Sequence, residues 1–176
     1  REVTLPEEDA LTLYIAADTR YQLFIDGAFV GRGAPQSQPF FQYYDAWDIA
    51  AYVAGGPICI GVIANYVGNL DDTRGGLLVE VVDGEGATRL ASDDTWRVIR
   101  ADAWASNTYY FRMNQATPYQ EHFDMRKMPA AWNRLGFDDD RWQVAEVIRG
   151  RLSDIPPMVS PWARLVPRDI PHMTAD

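Results

Sequence analysis

Two carboxyl groups held about 5 to 9.5 Å apart across a sugar bond are the working parts of most glycosidases. Among the 25 acidic residues of this chain, Glu121, Asp124, Asp71 and Asp72 lie in the settings that raise this chemistry, "EHFDMR" and "GNLDDTRGG". Their spacing in sequence does not by itself place any two of them across a substrate. Asp71-Asp72 and Asp138-Asp139-Asp140 also offer oxygen ligands for calcium, although neither run has the ordered spacing of an EF-hand loop. "GFDDDRW" reads as an Asp-rich turn closed by a packed Trp, whereas Asp71-Asp72 divides between a solvated loop and a ligand or ion site. His122 and His172 have no Cys or second His at zinc-ligand spacing. Ser37, Ser92, Ser106, Ser153 and Ser160 form no G-x-S-x-G elbow and have no His beside them in sequence. The aromatic residues are the richest feature, with 6 Trp, 9 Tyr and 7 Phe, and Tyr66, Trp104, Tyr109, Tyr110 and Tyr119 fall in expected loops. Such rings stack on the apolar face of a sugar while neighbouring Asn, Asp and Arg bind its hydroxyls. A loop site of this kind would draw on Asn65, Tyr66, Asp71, Asp72, Trp104 and Asn107. Trp96 and Trp142 each end a turn and begin a strand, which assigns them to packing.

The elements that must position these residues read as strands. In "RYQLFIDGAFVGRG" (20–33), Tyr21, Leu23 and Ile25 alternate with Gln22 and Phe24, and Asp26-Gly27 supplies the positive backbone angles of a two-residue hairpin turn. Gly27, Gly31 and Gly33 follow that turn and open no helix, so a turn and a bulge account for them better than a phosphate loop. Further strand-like runs are "LTLYIAA", "FFQYYDAW", "ICIGVIANY", "GGLLVEVVDGEGATRLASDDTWRVI" and "EVIRGRL", with a second hairpin around Asp83-Gly84. Helical signals are limited to "DIAAYVAGG", with Asp48 at the cap and Gly55-Gly56 as the stop, and to "PAAWNRL". Short strands at even spacing, with turn residues between them and no evident internal repeat, predict an all-β antiparallel sandwich or jelly roll with one or two short helices. The sandwich is expected over residues 1–155, and the Pro-rich segment 156–176 is expected to be an extended strap or linker.

Composition narrows the partners. A chain of 176 residues can bury a single core without staples. Its net charge of -9, with no basic stripe, disfavours nucleic acid and anionic membranes. The single Cys59 lies in "ICIGVIA" and reads as a buried, inert thiol. That apolar run is too short to cross a bilayer, and "REVTLPEEDA" lacks the apolar core of a signal peptide, so the chain reads as soluble, with its compartment open. A first residue other than Met suggests a processed protein or a part of something longer.

The hairpin followed by "QYYDAWDIAAYVAGGPICIGVIANY" resembles the N-terminal, galactose-binding-like β-sandwich domain of bacterial α-L-rhamnosidases (glycoside hydrolase family 78), where "Y-x-L-Y-V-N-G-x-x-V-G" leads to "Y-D-x-x-D-V-T-x-Y-L-x-x-G-x-N". In the same order, "SDDTWRV" is similar to "T-D-x-S-W-x-V", "EHFDMR" to "E-x-x-D-A-R" and "GFDDDRWQVAEVI" to "G-F-D-D-S-x-W-x-x-A". "LVPRDIP" (165–171) looks like the segment with which such a module ends. The chain departs from the pattern at Gln120, where Gly is common, at Met125, where Ala is common, and at Gly56-Pro57-Ile58, which replaces "G-x-N".

The resemblance implies catalytic acids in a downstream helical barrel, and this chain has no run of long helices to build one. Two roles stay open. One is a carbohydrate-binding or substrate-guiding module for a rhamnose-containing glycan, with calcium as the ion to consider. The other is a structural domain packed on the catalytic barrel of the same polypeptide. A self-sufficient hydrolase ranks below both. Glu121, Asp124 and Arg126 match a family motif, which is compatible with ligand binding or with a buried charge network.

Overall fold

A computed structural model describes residues 1–34, 42–66, 75–106, 108, 121–148 and 164–172. Eleven strands carry the described fold: β1 (Glu2–Leu5), β2 (Leu11–Asp18), β3 (Arg20–Ile25), β4 (Ala28–Gly33), β5 (Gln42–Asp48), β6 (Gly56–Asn65), β7 (Gly76–Asp83), β8 (Thr88–Ala91), β9 (Arg97–Val98), β10 (Gln143–Val144) and β11 (Leu165–Pro167). One sheet has the order β1-β6-β3-β4, a second the order β11-β5-β2-β7-β8, and β9 pairs with β10 alone. All described pairings are antiparallel except β11 on β5.

Period-two alternation builds the core. Leu11, Leu13, Ile15 and Ala17 of β2, Tyr21, Leu23 and Ile25 of β3, Ile58 and Ile60 of β6, and Val79 and Val81 of β7 are buried in one cluster drawn from both large sheets. Burying such a side chain contributes about 1.5 to 3 kcal/mol, so this shared cluster joins the two sheets into a sandwich. Cys59, on the other face of β6, is also buried.

The β3–β4 hairpin turns at Asp26 (φ 46°) and Gly27 (φ 82°), as the Asp-Gly pair predicts. A register shift follows, with Leu23 opposite Gly31 and Phe24 opposite Phe29. At the β7–β8 hairpin, Asp83 Oδ1 accepts from the Glu85 and Ala87 amides at 2.9 and 2.8 Å. The only helices among the described residues are two single 3-10 turns, Ala50–Tyr52 and Met125–Lys127, and none is long and apolar enough to cross a membrane. The first follows Asp48, whose Oδ1 accepts from the Ala50 amide at 3.0 Å.

Three expectations need correcting. "PAAWNRL" forms consecutive turns, because Ala131 takes a left-handed φ of 57° that breaks a helical ladder. In "EVIRGRL" residues 146–148 form no strand and 149–152 lie outside the described residues; the strand of this region is Gln143–Val144, with the Ala145 amide closing on the Trp96 carbonyl at 2.9 Å. A short repeat is also present: "DDTWRV" (93–98) and "DDRWQV" (139–144) each make a turn in which the Trp amide donates to an Asp carbonyl, and their strands β9 and β10 pair with each other.

Candidate functional site

Four of the nine candidate residues are brought together where segment 101–105 runs beside 121–126. The Ala105 amide donates to the His122 carbonyl at 2.9 Å and the Asp124 amide to the Ala103 carbonyl at 2.8 Å, forming a bridge between Trp104 and Phe123. This pairing sets the two rings 4.5 Å apart at 43°. Trp104 Nε1 donates to Glu121 Oε1 at 2.6 Å. Asp124 caps the Met125–Lys127 turn and takes a two-pronged contact from Arg126, Nε to Oδ1 at 2.8 Å and Nη2 to Oδ2 at 2.9 Å. The Arg126 side chain is 88% exposed, so of the two roles left open for this motif its ion pair with Asp124 is a surface contact and not a buried network. The Arg126 guanidinium beside Asp124 holds its carboxyl below the usual carboxylate range, which makes Asp124 an acceptor near neutrality and not a proton donor. The arrangement offers exposed ring surface on Phe123, carboxylate acceptors and a guanidinium donor.

Asn65 and Tyr66 stand on a different element, the end of β6. The Asn65 carbonyl accepts from the Thr19 amide at 2.9 Å, and Tyr66, the next residue, is 43% exposed with its side chain close over Gly75. Asp71, Asp72 and Asn107 lie outside the described residues. Asp138-Asp139-Asp140 forms the expected turn: Asp138 Oδ1 accepts from the Asp140 amide at 3.2 Å, and Trp142 packs edge-on against Phe137 at 5.4 Å. Among the described residues, no three of His, Cys, Asp and Glu gather in a way that could hold a metal ion.

Sequence reasoning missed a second constellation, which is buried. Asp45, in the middle of β5, is 1% exposed. Its Oδ2 accepts from the Tyr21 hydroxyl at 2.5 Å and its Oδ1 pairs with Arg168 Nη1 at 3.2 Å. Trp47 Nε1 donates to the Tyr21 oxygen at 2.8 Å, and the Trp47 ring stacks on His172 at 3.7 Å. Burial and the neighbouring Asp45 push the Tyr21 hydroxyl far above its usual range, so it stays protonated as a donor. A Cβ at Gly31 would overlap the Trp47 ring, and one at Gly33 would overlap Asp45 Oδ2 and crowd the Tyr21 ring. The one signal in the sequence is that Asp45 and Arg168 both lie in segments that resemble the family pattern, "YYDAWD" and "LVPRDIP", but no spacing rule joins them.

Two surface depressions complete the description. One, of about 280 Å³, lies on the outer face of the five-stranded sheet between Tyr14, Tyr44, Leu78, Glu80 and Leu165. The other, about 870 Å³ and open, is rimmed by Glu7, Glu8, Asp9, Glu85 and Arg89 at one end of the sandwich.

Comparison with known proteins places these features in context. The family described as the α-L-rhamnosidase N-terminal domain matches residues 8–166. The crystal structure of a GH78 family rhamnosidase from Bacillus sp. GL1 is similar at 34% identity and a TM-score of 0.78, over 97% of this chain and 18% of that one. An α-L-rhamnosidase from Dictyoglumus thermophilum is similar at 20% identity and a TM-score of 0.73, again over 97% of this chain and 18% of that one. A Streptomyces avermitilis α-L-rhamnosidase complexed with L-rhamnose is similar at 24% identity and a TM-score of 0.60, over 89% and 16% of the two chains. A search of curated proteins returns no match. The chain thus spans about a fifth of the length of the rhamnosidases it resembles.

Proposed function

The chain belongs to the α-L-rhamnosidase N-terminal domain family, and from that premise we propose that it is a non-catalytic, carbohydrate-binding or substrate-guiding module of a rhamnosidase-type glycoside hydrolase. The observation that carries this reading is the corner where the Trp104–Phe123 ring pair is flanked by Glu121, Asp124 and Arg126. Ring faces beside charged hydrogen-bonding groups are how proteins hold sugars of mixed polarity. One stacking surface with a few polar contacts supports dissociation constants of about millimolar to micromolar, roughly -4 to -8 kcal/mol. In this reading residues 1–155 supply the glycan-binding surface, while the segment 156–176, whose β11 joins the edge of the five-stranded sheet, leads toward a catalytic domain on the same polypeptide.

The test is calorimetric titration of the chain with L-rhamnose and a panel of other sugars, with and without calcium. Saturable heat that Arg126→Ala weakens, with melting unchanged, supports the site. Heat abolished by chelation adds calcium to it. Silence with every sugar favours the second reading, a structural domain packed on the catalytic barrel. One observation speaks for that alternative: the outer-face depression beside Leu78, itself 42% exposed, is apolar enough to seat a neighbouring domain.

A further inference from the structure

We propose that residues 164–172 form a latch that seats on β5 as one unit, with the buried Asp45 carboxylate as its keeper and Arg168 and His172 as its two pins. This goes beyond the proposed function and does not depend on sugar binding.

The β11 ladder spans only Leu165–Pro167, paired in parallel with residues 42 to 44. It is closed at its ends by the Gln42 amide on the Arg164 carbonyl at 2.8 Å and the Arg168 amide on the Tyr44 carbonyl at 3.0 Å. A ladder this short at a sheet edge has little persistence of its own. The side chains beyond it decide whether the segment stays. Arg168 reaches Asp45, whose side chain is fully enclosed, and His172 lies flat on Trp47 while its Nε2 meets the Ala46 carbonyl at 3.3 Å. With the segment lifted away, Asp45 would keep the Tyr21 hydroxyl but lose its cation, and an ionised carboxylate left buried without its counter-charge is strongly disfavoured. Seating and charge neutralisation are therefore one event. Pro167 and Pro171 restrict the free segment toward the extended form that the latch uses. Gly31 and Gly33 leave the room that the Trp47 ring and the Asp45 carboxylate occupy.

The test is amide hydrogen exchange on the 176-residue chain, read at the Gln42 and residue-168 amides and, as reference, along β2 and β7. Arg168→Met should speed exchange at both latch amides together by about a hundredfold while the β2–β7 amides stay at their wild-type rates. Adding Asp45→Asn to that variant should return part of the protection, since no charge is then left unpaired. Latch amides within about twofold of wild type would overturn the proposal, as would a rise shared equally by β2 and β7, which would make Asp45 a general core charge. If Arg168→Met does not fold, His172→Ala removes the second pin alone. It should give about a tenfold rise confined to the same amides, and no rise there would equally overturn the latch.

Discussion

Tyr21 is the side chain on which the interior polar chemistry turns, because its hydroxyl gives its hydrogen to Asp45 and takes one from the Trp47 indole. Tyr21→Phe leaves that indole without this acceptor and Asp45 without this donor. A buried polar group stripped of its partner costs about 1 to 3 kcal/mol, so urea unfolding should register a loss in that range. A loss below about 0.5 kcal/mol would mean that the hydroxyl is dispensable. Cys59 makes a contrasting case, since burial pushes its thiol above the usual range and only the thiolate attacks. A thiol reagent at mild alkaline pH should label the folded chain far more slowly than the chain in denaturant, and equal rates would contradict the enclosed position. That burial was legible from "ICIGVIA" alone. The Asp45–Arg168 pair was not, because its members stand 123 positions apart and no local pattern marks a carboxylate in mid-strand as buried. For Arg126 the motif left ligand binding and a buried charge network equally open, and only the fold shows that the side chain lies in solvent.

At the scale of the element, the β7–β8 hairpin shows how a turn is held by one carboxylate. Asp83 accepts from two amides of its own loop and pairs with Arg89 Nε at 2.6 Å. The Ala87 amide, then the Glu85 amide and Arg89, hold its pKa below 3.8 in the folded chain. A depressed pKa contributes stability that is present above the unfolded value and lost as pH falls through the folded one. Thermal melts should therefore decline as pH drops below about 4, and Asp83→Asn should lower the neutral melting temperature while flattening that acid limb. An unchanged limb would move the acid sensitivity elsewhere, with Asp93 and Asp124, also held low, as the next carboxylates to replace. Both hairpins could be read in advance because their turn residues carry the geometry locally, Asp26-Gly27 by left-handed backbone angles in the first and Asp83 with Gly86 (φ 86°) in the second. β1 was passed over: "EVTL" is four residues long and becomes a strand only by pairing with β6. The turns at 129–136 were misread for a related reason. Helix propensity in "AAWNRL" yields to packing, with Trp132 edge-on to Phe24 at 5.7 Å and Asn133 close over Gly61.

For the molecule as a whole, the deciding fact is that one cluster of buried side chains serves both large sheets. Leu13 and Val79 from the five-stranded sheet and Leu23 and Ile60 from the four-stranded sheet are all fully enclosed in it. Neither sheet can lose its partner without exposing the same interior, so they should melt together. Leu23→Ala, which removes a branched side chain at 0% exposure, should cost about 2 to 5 kcal/mol. In a chain of this length each kcal/mol shifts the melting temperature by about 2 to 4 °C. The fall should be the same whether followed by far-ultraviolet dichroism, which reports every strand, or by near-ultraviolet signals, to which Trp47 on β5 contributes from the sheet opposite the substitution. Two separated transitions would show that the sheets are independent units joined only by their loops. A single shifted transition would instead fit a rigid module, one whose Trp104 corner on the surface and latch at the edge of β5 are held in fixed relation by the interior between them.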